Sequence, residues 1–201
     1  MRSGIDWTRA APHRGSREPT SAAAAVPRIA GGQGSPYRLW TTPVRFGILL
    51  YMGELGEVED LVRRLLAGAP TMYLSTTADD EPWGAGAFFA ESGPFDLSLV
   101  LEEHGRTLRN IRRNPRVALV VSSGNPFEPF LQGAADAELL EDDEKLTATT
   151  DALRTKAPQI EPLLAAPMVA VRLHVTRWRA TDVVNGWLPG KDLLAPDAIT
   201  A

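Results

Sequence analysis

The clearest periodicity in the chain lies at Val58, Leu61, Val62 and Leu65, which recur at i, i+3, i+4 and i+7 and predict an amphipathic helix. Gly68 and Pro70 end it. The period then changes from helical to alternating. Residues 71–77 set Met72 and Leu74 against Tyr73 and Ser75 and predict a first strand, followed by a turn over 78–82. A second strand spans 83–91, where Gly84 and Gly86 leave the backbone bare. After Ser92-Gly93-Pro94, a third strand over 95–101 aligns Phe95, Leu97, Leu99 and Leu101 on one face. Short turns between these three predict antiparallel neighbours, a meander.

A short helix over 106–113 has Leu108 and Ile111 as its apolar contacts, and Asn114-Pro115 stops it. Val117, Leu119 and Val121 alternate in a fourth strand. Residues 131–140 form a fifth, with Gly133, Ala134, Ala135 and Ala137 suited to close packing. Glu141-Asp142-Asp143-Glu144 opens a further helix, where the helix dipole favours acidic side chains. Val169, Val171, Leu173 and Val175 mark a sixth strand, and residues 178–201 read as a mostly irregular tail. These elements show no regular β-helix-β alternation. They predict a mainly β fold with flanking helices, a six-stranded antiparallel barrel; the alternative is a two-layer α+β sandwich.

Upstream the pattern disappears. Five prolines, an alanine run at 22–25 and Gly31-Gly32-Gln33-Gly34 leave residues 1–45 without an apolar period to offset the entropy of ordering them. We therefore divide the chain at 51/52. Residues 1–51 are a disordered segment or a mis-called extension with Met52 as the true start, and 52–201 form the domain. Charge divides the same way. Residues 1–51 carry seven arginines against Asp6 and Glu18, an Arg-rich, acid-poor composition weakly like a transit peptide. Residues 52–201 carry 14 basic and 23 acidic side chains. An acidic domain does not attract polyanions through its overall field, and the basic segment lacks a dense run of like charge. No apolar stretch approaches the ~20 residues of a membrane helix, and no secretory signal is present. The expectation is a soluble, cytoplasmic protein that binds neither nucleic acid nor membrane. The excess of 18 arginines over 3 lysines fits the coding bias of a GC-rich genome.

The absence of cysteine excludes disulfides, thiolate metal sites and cysteine nucleophiles, and three histidines (13, 104 and 174) make no zinc cluster. There is no P-loop, Gly-x-Ser-x-Gly elbow or dinucleotide fingerprint. Glu102 and Glu103 beside His104 read as exposed charges at a strand end. What remains is residues 101–121. A strand ends, Gly105 allows a tight approach, and a helix opens with Arg106 and Thr107. Free amides at that end, with the guanidinium and hydroxyl beside them, suit a phosphate group. The alternative is a surface helix with solvated arginines, which fits Arg112 and Arg113 at its C-terminal end.

The same stretch resembles the FMN-binding split-barrel superfamily, founded on pyridoxamine 5′-phosphate oxidase. Four pieces match in order: a first strand running into an acidic turn (Leu74-Ser-Thr-Thr-Ala-Asp-Asp80), two further strands, Gly105-Arg106-Thr107-Leu-Arg109-Asn110-Ile111 leading to Asn114-Pro115-Arg116-Val117, and Leu131-Gln-Gly133-Ala-Ala135. The family commonly shows Ser-Arg-Lys-x-x-Asn-Leu and Asn-Pro-Arg-Val at the third piece. With looser matches at both ends, the resemblance covers roughly residues 54–180.

It implies a homodimer with flavin phosphate sites at the subunit interface. Arg106 matches the arginine that grips the FMN phosphate, while Gly105 and Thr107 stand where the family has serine and lysine. The lost lysine removes one cation, which Arg109, one turn on, is placed to replace. Ala87, Phe88 and Phe89 fall on the strand against which the family lays the flavin, without that family's basic side chains. Trp178 matches a flavin-proximal tryptophan or is a barrel-edge residue. Arg172-Leu173-His174 is like the oxidase's Arg-x-His substrate motif, but it precedes Trp178 and lies inside a strand, so it reads as coincidence. Residues 185–190 cap the barrel or pack over a cofactor. The resemblance implies an FMN-dependent oxidoreductase acting on a small molecule. The alternatives are a reductase using a deazaflavin coenzyme, and a non-catalytic flavin- or haem-binding protein with His104 as the axial ligand.

Overall fold

The computed structural model describes the backbone of residues 44–199 and the side chains of 55–198; the predicted disorder of the first 43 residues lies outside this range. Helix α1 (Val44–Gly68) is longer than its periodic part and crosses the 51/52 division. Val58, Leu61, Val62 and Leu66 are buried, and Leu65 packs against the edge of the same core. Strand β1 (Thr71–Ala78) alternates as its sequence predicts: Met72, Leu74, Thr76 and Ala78 point inward, while Thr71, Tyr73, Ser75 and Thr77 are exposed. The chain reverses at Asp79 and Asp80, whose φ angles of 52° and 61° suit a two-residue hairpin turn. It then pairs along all of β2 (Glu81–Phe88), from Ala78↔Glu81 to Thr71↔Phe88.

The predicted second strand is broken at Phe89 into β2 and β3 (Ala90–Glu91). Strands β4 (Asp96–Glu102), β5 (Arg116–Val121), β6 (Phe130–Leu140), β7 (Met168–Asp182) and β8 (Trp187–Leu194) complete the sheet. Its order is β2-β1-β5-β6-β7-β4-β3, with β8 beside β7, and every pairing is antiparallel. β2 and β3 are consecutive in the chain yet stand at opposite ends of that order, so the sheet curls into a barrel. Closure rests on two residue pairs, Ala90↔Ser98 and Glu91↔Leu97. The rest of β2 stays apart from β4. The meander therefore holds for the first hairpin and only at this short step for the second.

Two further differences from the sequence reading stand out. The tail after Trp178 is ordered rather than irregular: β7 continues to Asp182 and β8 returns along it, so the sheet has eight strands where six were predicted. The sequence hides β8 because Pro189, Gly190 and Lys191 interrupt any alternation, and its pairing is carried by the backbone. A 3₁₀ segment, Pro158–Ala165, also follows helix α3 (Asp143–Lys156), whose N-cap Asp142 accepts from the Glu144 amide at 2.8 Å. Among the described residues no helix is long and apolar enough to cross a membrane.

The barrel interior is filled by Leu74, Leu97, Leu119, Leu131, Leu173 and Trp178, all essentially inaccessible. Trp178 is thus a core residue, its indole N–H donating to the Pro94 carbonyl at 2.5 Å. Its ring lies on Gly133, where an added Cβ would fall 2.6 Å from Trp178 Cζ3 and 3.0 Å from Leu119 Cδ1. Gly133→Ala is expected to destabilise the fold by about 1–3 kcal/mol through overpacking. Gly84→Ala, where nothing lies within 4 Å, is the control for urea unfolding.

Outside the barrel, a smaller cluster joins Ala90, Leu153 and Ile160, with Phe88, Val100 and Leu164 beside them. Lys156 locks this layer to the closure point. Its ammonium donates to the Leu66 carbonyl at 2.8 Å, pairs with Glu91, and sits 3.7 Å from the Phe89 ring centroid. Burial holds its pKa below the ordinary 10.5 despite Glu91. Between that lowered value and 10.5 the unfolded chain binds more protons, so stability rises with pH across this window. The stability difference between wild type and Lys156→Met, measured by urea titration at neutral pH and near pH 10.5, should shift in favour of wild type as pH rises. A shift the other way would mean the Glu91 charge outweighs burial.

Candidate functional site

The gap between β2 and β4 becomes a cleft of about 520 Å³. β2 stands at one end of the sheet order, and β4 has lost its β3 partner beyond Ser98, so two strand edges without strand partners face each other there. Gly86, Phe88 and Val100 line it, with Leu163 and Met168 from the segment after α3 forming a wall. Tyr73, 59% exposed, and Leu163, 53% exposed, stand at its mouth. Among the described residues Glu102 is the one charged side chain in the lining.

Helix α2 (Arg106–Arg113) closes one end. Its cap residue Gly105 is extended, with no side chain capping the first amides. Two asparagines fix the helix to β1: buried Asn110 donates to Thr76 Oγ1 at 3.1 Å, and Asn114 donates to the Thr77 carbonyl at 3.1 Å. These bonds explain physically why Asn110 and Asn114 frame the helix, a role not read from sequence. They set the helix start, so that Gly105 and the largely buried Thr107 face the cleft.

The predicted site residues divide into three groups. Gly105, Thr107, Ala87 and Phe88 line the cleft. Arg106 and Arg109 instead line a second groove of about 540 Å³ between α2 and the β1–β2 turn. Phe89 and Trp178 reach neither: both are fully buried, Phe89 because alternation through β2 turns it inward and Trp178 because it fills the barrel. The ring of His104 is exposed at the turn and does not line the cleft. His174 sits on the outer face of β7, 3.2 Å from Asp96 and 3.1 Å from Glu138, and does not line it either. Among the described residues no group of three His, Asp or Glu is placed to hold a metal ion.

Two carboxylates that the sequence placed only in a turn and at a strand end, Glu81 and Glu102, occupy the corner. Glu81 Oε2 is 2.5 Å from Arg106 Nη2, and that guanidinium lies 4.6 Å from the Trp83 ring centroid. Glu102 Oε1 accepts the His104 amide at 2.9 Å, and an added Cβ at Gly105 would fall 3.1 Å from Glu102 Oε2. Anionic oxygens thus already sit where the chain presents a guanidinium and free amides. The acidic end of the first hairpin, Asp79-Asp80-Glu81, was the available signal for this contact.

A family model for pyridoxamine 5′-phosphate oxidase matches residues 58–182, more than half of the chain. The chain belongs to the pyridoxamine 5′-phosphate oxidase family. Its fold is the antiparallel split barrel of that family, and the matched region runs from α1 to the end of β7, enclosing the cleft and α2. Similar solved structures include a heme binding protein from Mycobacterium smegmatis, at 20% identity and TM-score 0.57, covering 70% of this chain and 59% of that one. Another is General Stress Protein 26 from Bacillus anthracis, at 18% identity and TM-score 0.51, covering 69% and 98%. A FAD-binding protein from Mesorhizobium loti matches at 17% identity and TM-score 0.50, covering 59% and 90%. At these identities the likeness is one of fold. Among curated proteins none matches the sequence significantly.

In this family member the Glu81–Arg106 pair is exposed, so its carboxylate is held weakly, by about 0.2–1 kcal/mol. Glu81→Gln should raise the affinity for inorganic phosphate about two- to fivefold, and Arg106→Ala should abolish it, by phosphorus NMR titration. Unchanged affinity in both variants would show that Arg106 holds no phosphate.

Proposed function

We propose that this protein is a flavin-dependent oxidoreductase that acts on a small molecule as a homodimer. The observation that carries this reading is the cleft itself: an apolar slot between two strand edges, ending on a helix N-terminus beside an arginine. A flat heteroaromatic ring with polar atoms on its rim suits such a slot, because its faces take apolar contact and its rim meets backbone groups. Gly86 helps, since nothing lies within 4 Å of where its Cβ would be and the ring can approach the backbone. The residues present fit a flavin phosphate. The α2 amides and Arg106 would hold the phosphate once it displaces Glu81, and Thr107 adds a hydroxyl where a cation would otherwise stand.

When bound, a flavin supplies hydride or electron transfer, which agrees with a cleft whose lining, among the described residues, holds no acid–base pair. The protein orients the ring, excludes water through Phe88, Val100 and Met168, and neutralises the phosphate. FMN is the smallest cofactor that meets these demands. A homodimer is supported by the outer face of β1, β2 and β5, where Gly84 and Ala118 lie exposed near Tyr73. A second copy on this face would roof the mouth of the cleft. The haem reading has less support, because the His104 ring stands outside the cleft lining.

The test is the absorption spectrum of the protein purified from its native cells, then reconstituted with FMN. The two-banded spectrum of an oxidised flavin is expected. Gly86→Leu should lower flavin affinity at least tenfold while leaving the melting temperature within a few degrees, since its side chain enters the cleft. A Soret band, or flavin affinity indifferent to Gly86→Leu, would overturn the assignment of the cleft. A deazaflavin spectrum would keep the cleft and replace the cofactor.

A further inference from the structure

A second hollow, of about 500 Å³, adjoins the cleft on the outer face of β1. Thr71 and Tyr73 line both, so Tyr73 is the partition between them. Its register neighbours are Gly86 on the cleft side and Val120 on the other. The rest of the wall comes from the C-terminal end of α1 and from the 122–129 loop between β5 and β6, which the flavin reading leaves unused. Leu65, Ala69 and Pro129 give that wall its half-buried apolar part.

Two charges, one of each sign, face this hollow. Among the described residues Arg64 and Glu128 are the only ionised side chains in its lining; both are exposed, and no ion pair joins them. Arg63 takes Glu59, whereas Arg64 pairs with no carboxylate among the described residues, Asp60 one turn back included. Burial of Leu61, Val62 and Leu66 fixes the helix that presents it. Glu128 stands on a loop pinned by its own polar groups: Ser122 Oγ accepts the Gly124 amide at 3.0 Å, and Asn125 Oδ1 accepts the Phe127 amide at 3.1 Å. The Asn125 side chain donates to Glu128 Oε1 at 3.2 Å. Hydrogen bonds from Ser123 and Asn125 hold the Glu128 carboxyl below the usual carboxylate range, so it is anionic at neutral pH.

A ligand with a single charge suits one of these groups and meets the other as a like charge. A carboxylate drawn to Arg64 faces Glu128, and an amine drawn to Glu128 faces Arg64. A molecule that carries both an ammonium and a carboxylate gives each group its opposite, through charge-assisted hydrogen bonds. The apolar wall between them takes a carbon stem. We propose that the hollow binds an apolar amino acid, its carboxylate on Arg64 and its ammonium on Glu128, and that such amino acids are the substrate class. A molecule held there lies against Tyr73, at the mouth of the cleft. The substrate role rests on the flavin reading of the cleft; the binding does not.

The full-length protein is titrated by calorimetry with two amino acids, L-leucine, whose charges share one carbon, and aminocaproate, whose charges sit at opposite ends. Isocaproate and isoamylamine, with one charge each, are the comparison. At least one amino acid is expected to bind tenfold or more tightly than either single-charge probe. Arg64→Gln should bring its affinity within threefold of that for isoamylamine, and Glu128→Gln within threefold of that for isocaproate. Both side chains are exposed, and glutamine at 128 keeps an oxygen for Asn125, so the melting temperature should stay within a few degrees. Equal affinities for the amino acids and the single-charge probes, or a preference that survives in either variant, would overturn the amino-acid assignment and leave the cleft reading in place. In protein reconstituted with FMN, the bound amino acid should shift the flavin absorption bands, and Arg64→Gln should lose that shift at the same concentration. Amino-acid binding with unshifted bands would overturn the substrate role. Failure to take up flavin, with amino-acid binding intact, would overturn the reading beneath that role.

Discussion

The barrel closes through two residue pairs, and nearly everything at the site follows from how little that is. Ala90 and Glu91 reach β4, and Phe89 just before them is driven into the core. With the chain anchored inward there, β2 cannot continue alongside β4, and two strand edges are left facing a gap. Buried backbone groups need partners and exposed edges invite them. A cleft lined by unpaired edges is therefore built to receive a molecule with its own donors and acceptors along one rim. Lys156 holds the closure from outside, bonded to the end of α1, paired with Glu91 and lying against Phe89.

At the end of the cleft, the proposed phosphate would enter by exchange rather than by addition. The α2 amides and Arg106 form a positive corner, but Glu81 and Glu102 are already beside it. An exposed arginine–carboxylate pair contributes little, because water competes for both partners. On the reading proposed above, a phosphate dianion would displace the carboxylate, since it offers more charge and more acceptor oxygens. The stacking of Arg106 on Trp83 keeps the guanidinium near its working position while partners change.

The parts legible in the sequence are those where period and chemistry coincide. β1 alternates cleanly because one face is core and the other is open, and the limits of α2 follow from Gly105 and Asn114-Pro115. Arg106 and Thr107 were readable as the first turn of α2 because Gly105 precedes them. The break at Phe89 was not, since Ala87, Phe88 and Phe89 form an unbroken apolar run whose inward members only the fold decides. Trp178 reads equally well as a barrel-edge or a cofactor residue; it is a core residue, and the glycine beneath it that settles the matter is distant in sequence. The wall contributed by Leu163 and Met168 escaped for a similar reason: it belongs to a 3₁₀ segment and a strand start, neither with a period of its own.

The placement of charge separates this chain from the pattern it otherwise follows. Where the family sets a lysine beside the phosphate-gripping arginine, Thr107 brings a neutral hydroxyl into the cleft. The cations instead stand on the other side of the same helical turn. The slot for the ring is therefore almost free of charge, Glu102 alone excepted, while the adjoining groove is rich in it. A neutral slot leaves ring binding to shape and backbone bonds, and leaves the charge at the first turn of α2 for the proposed phosphate. On the flavin reading proposed above, such a division lets the ring meet substrate without a competing cation nearby.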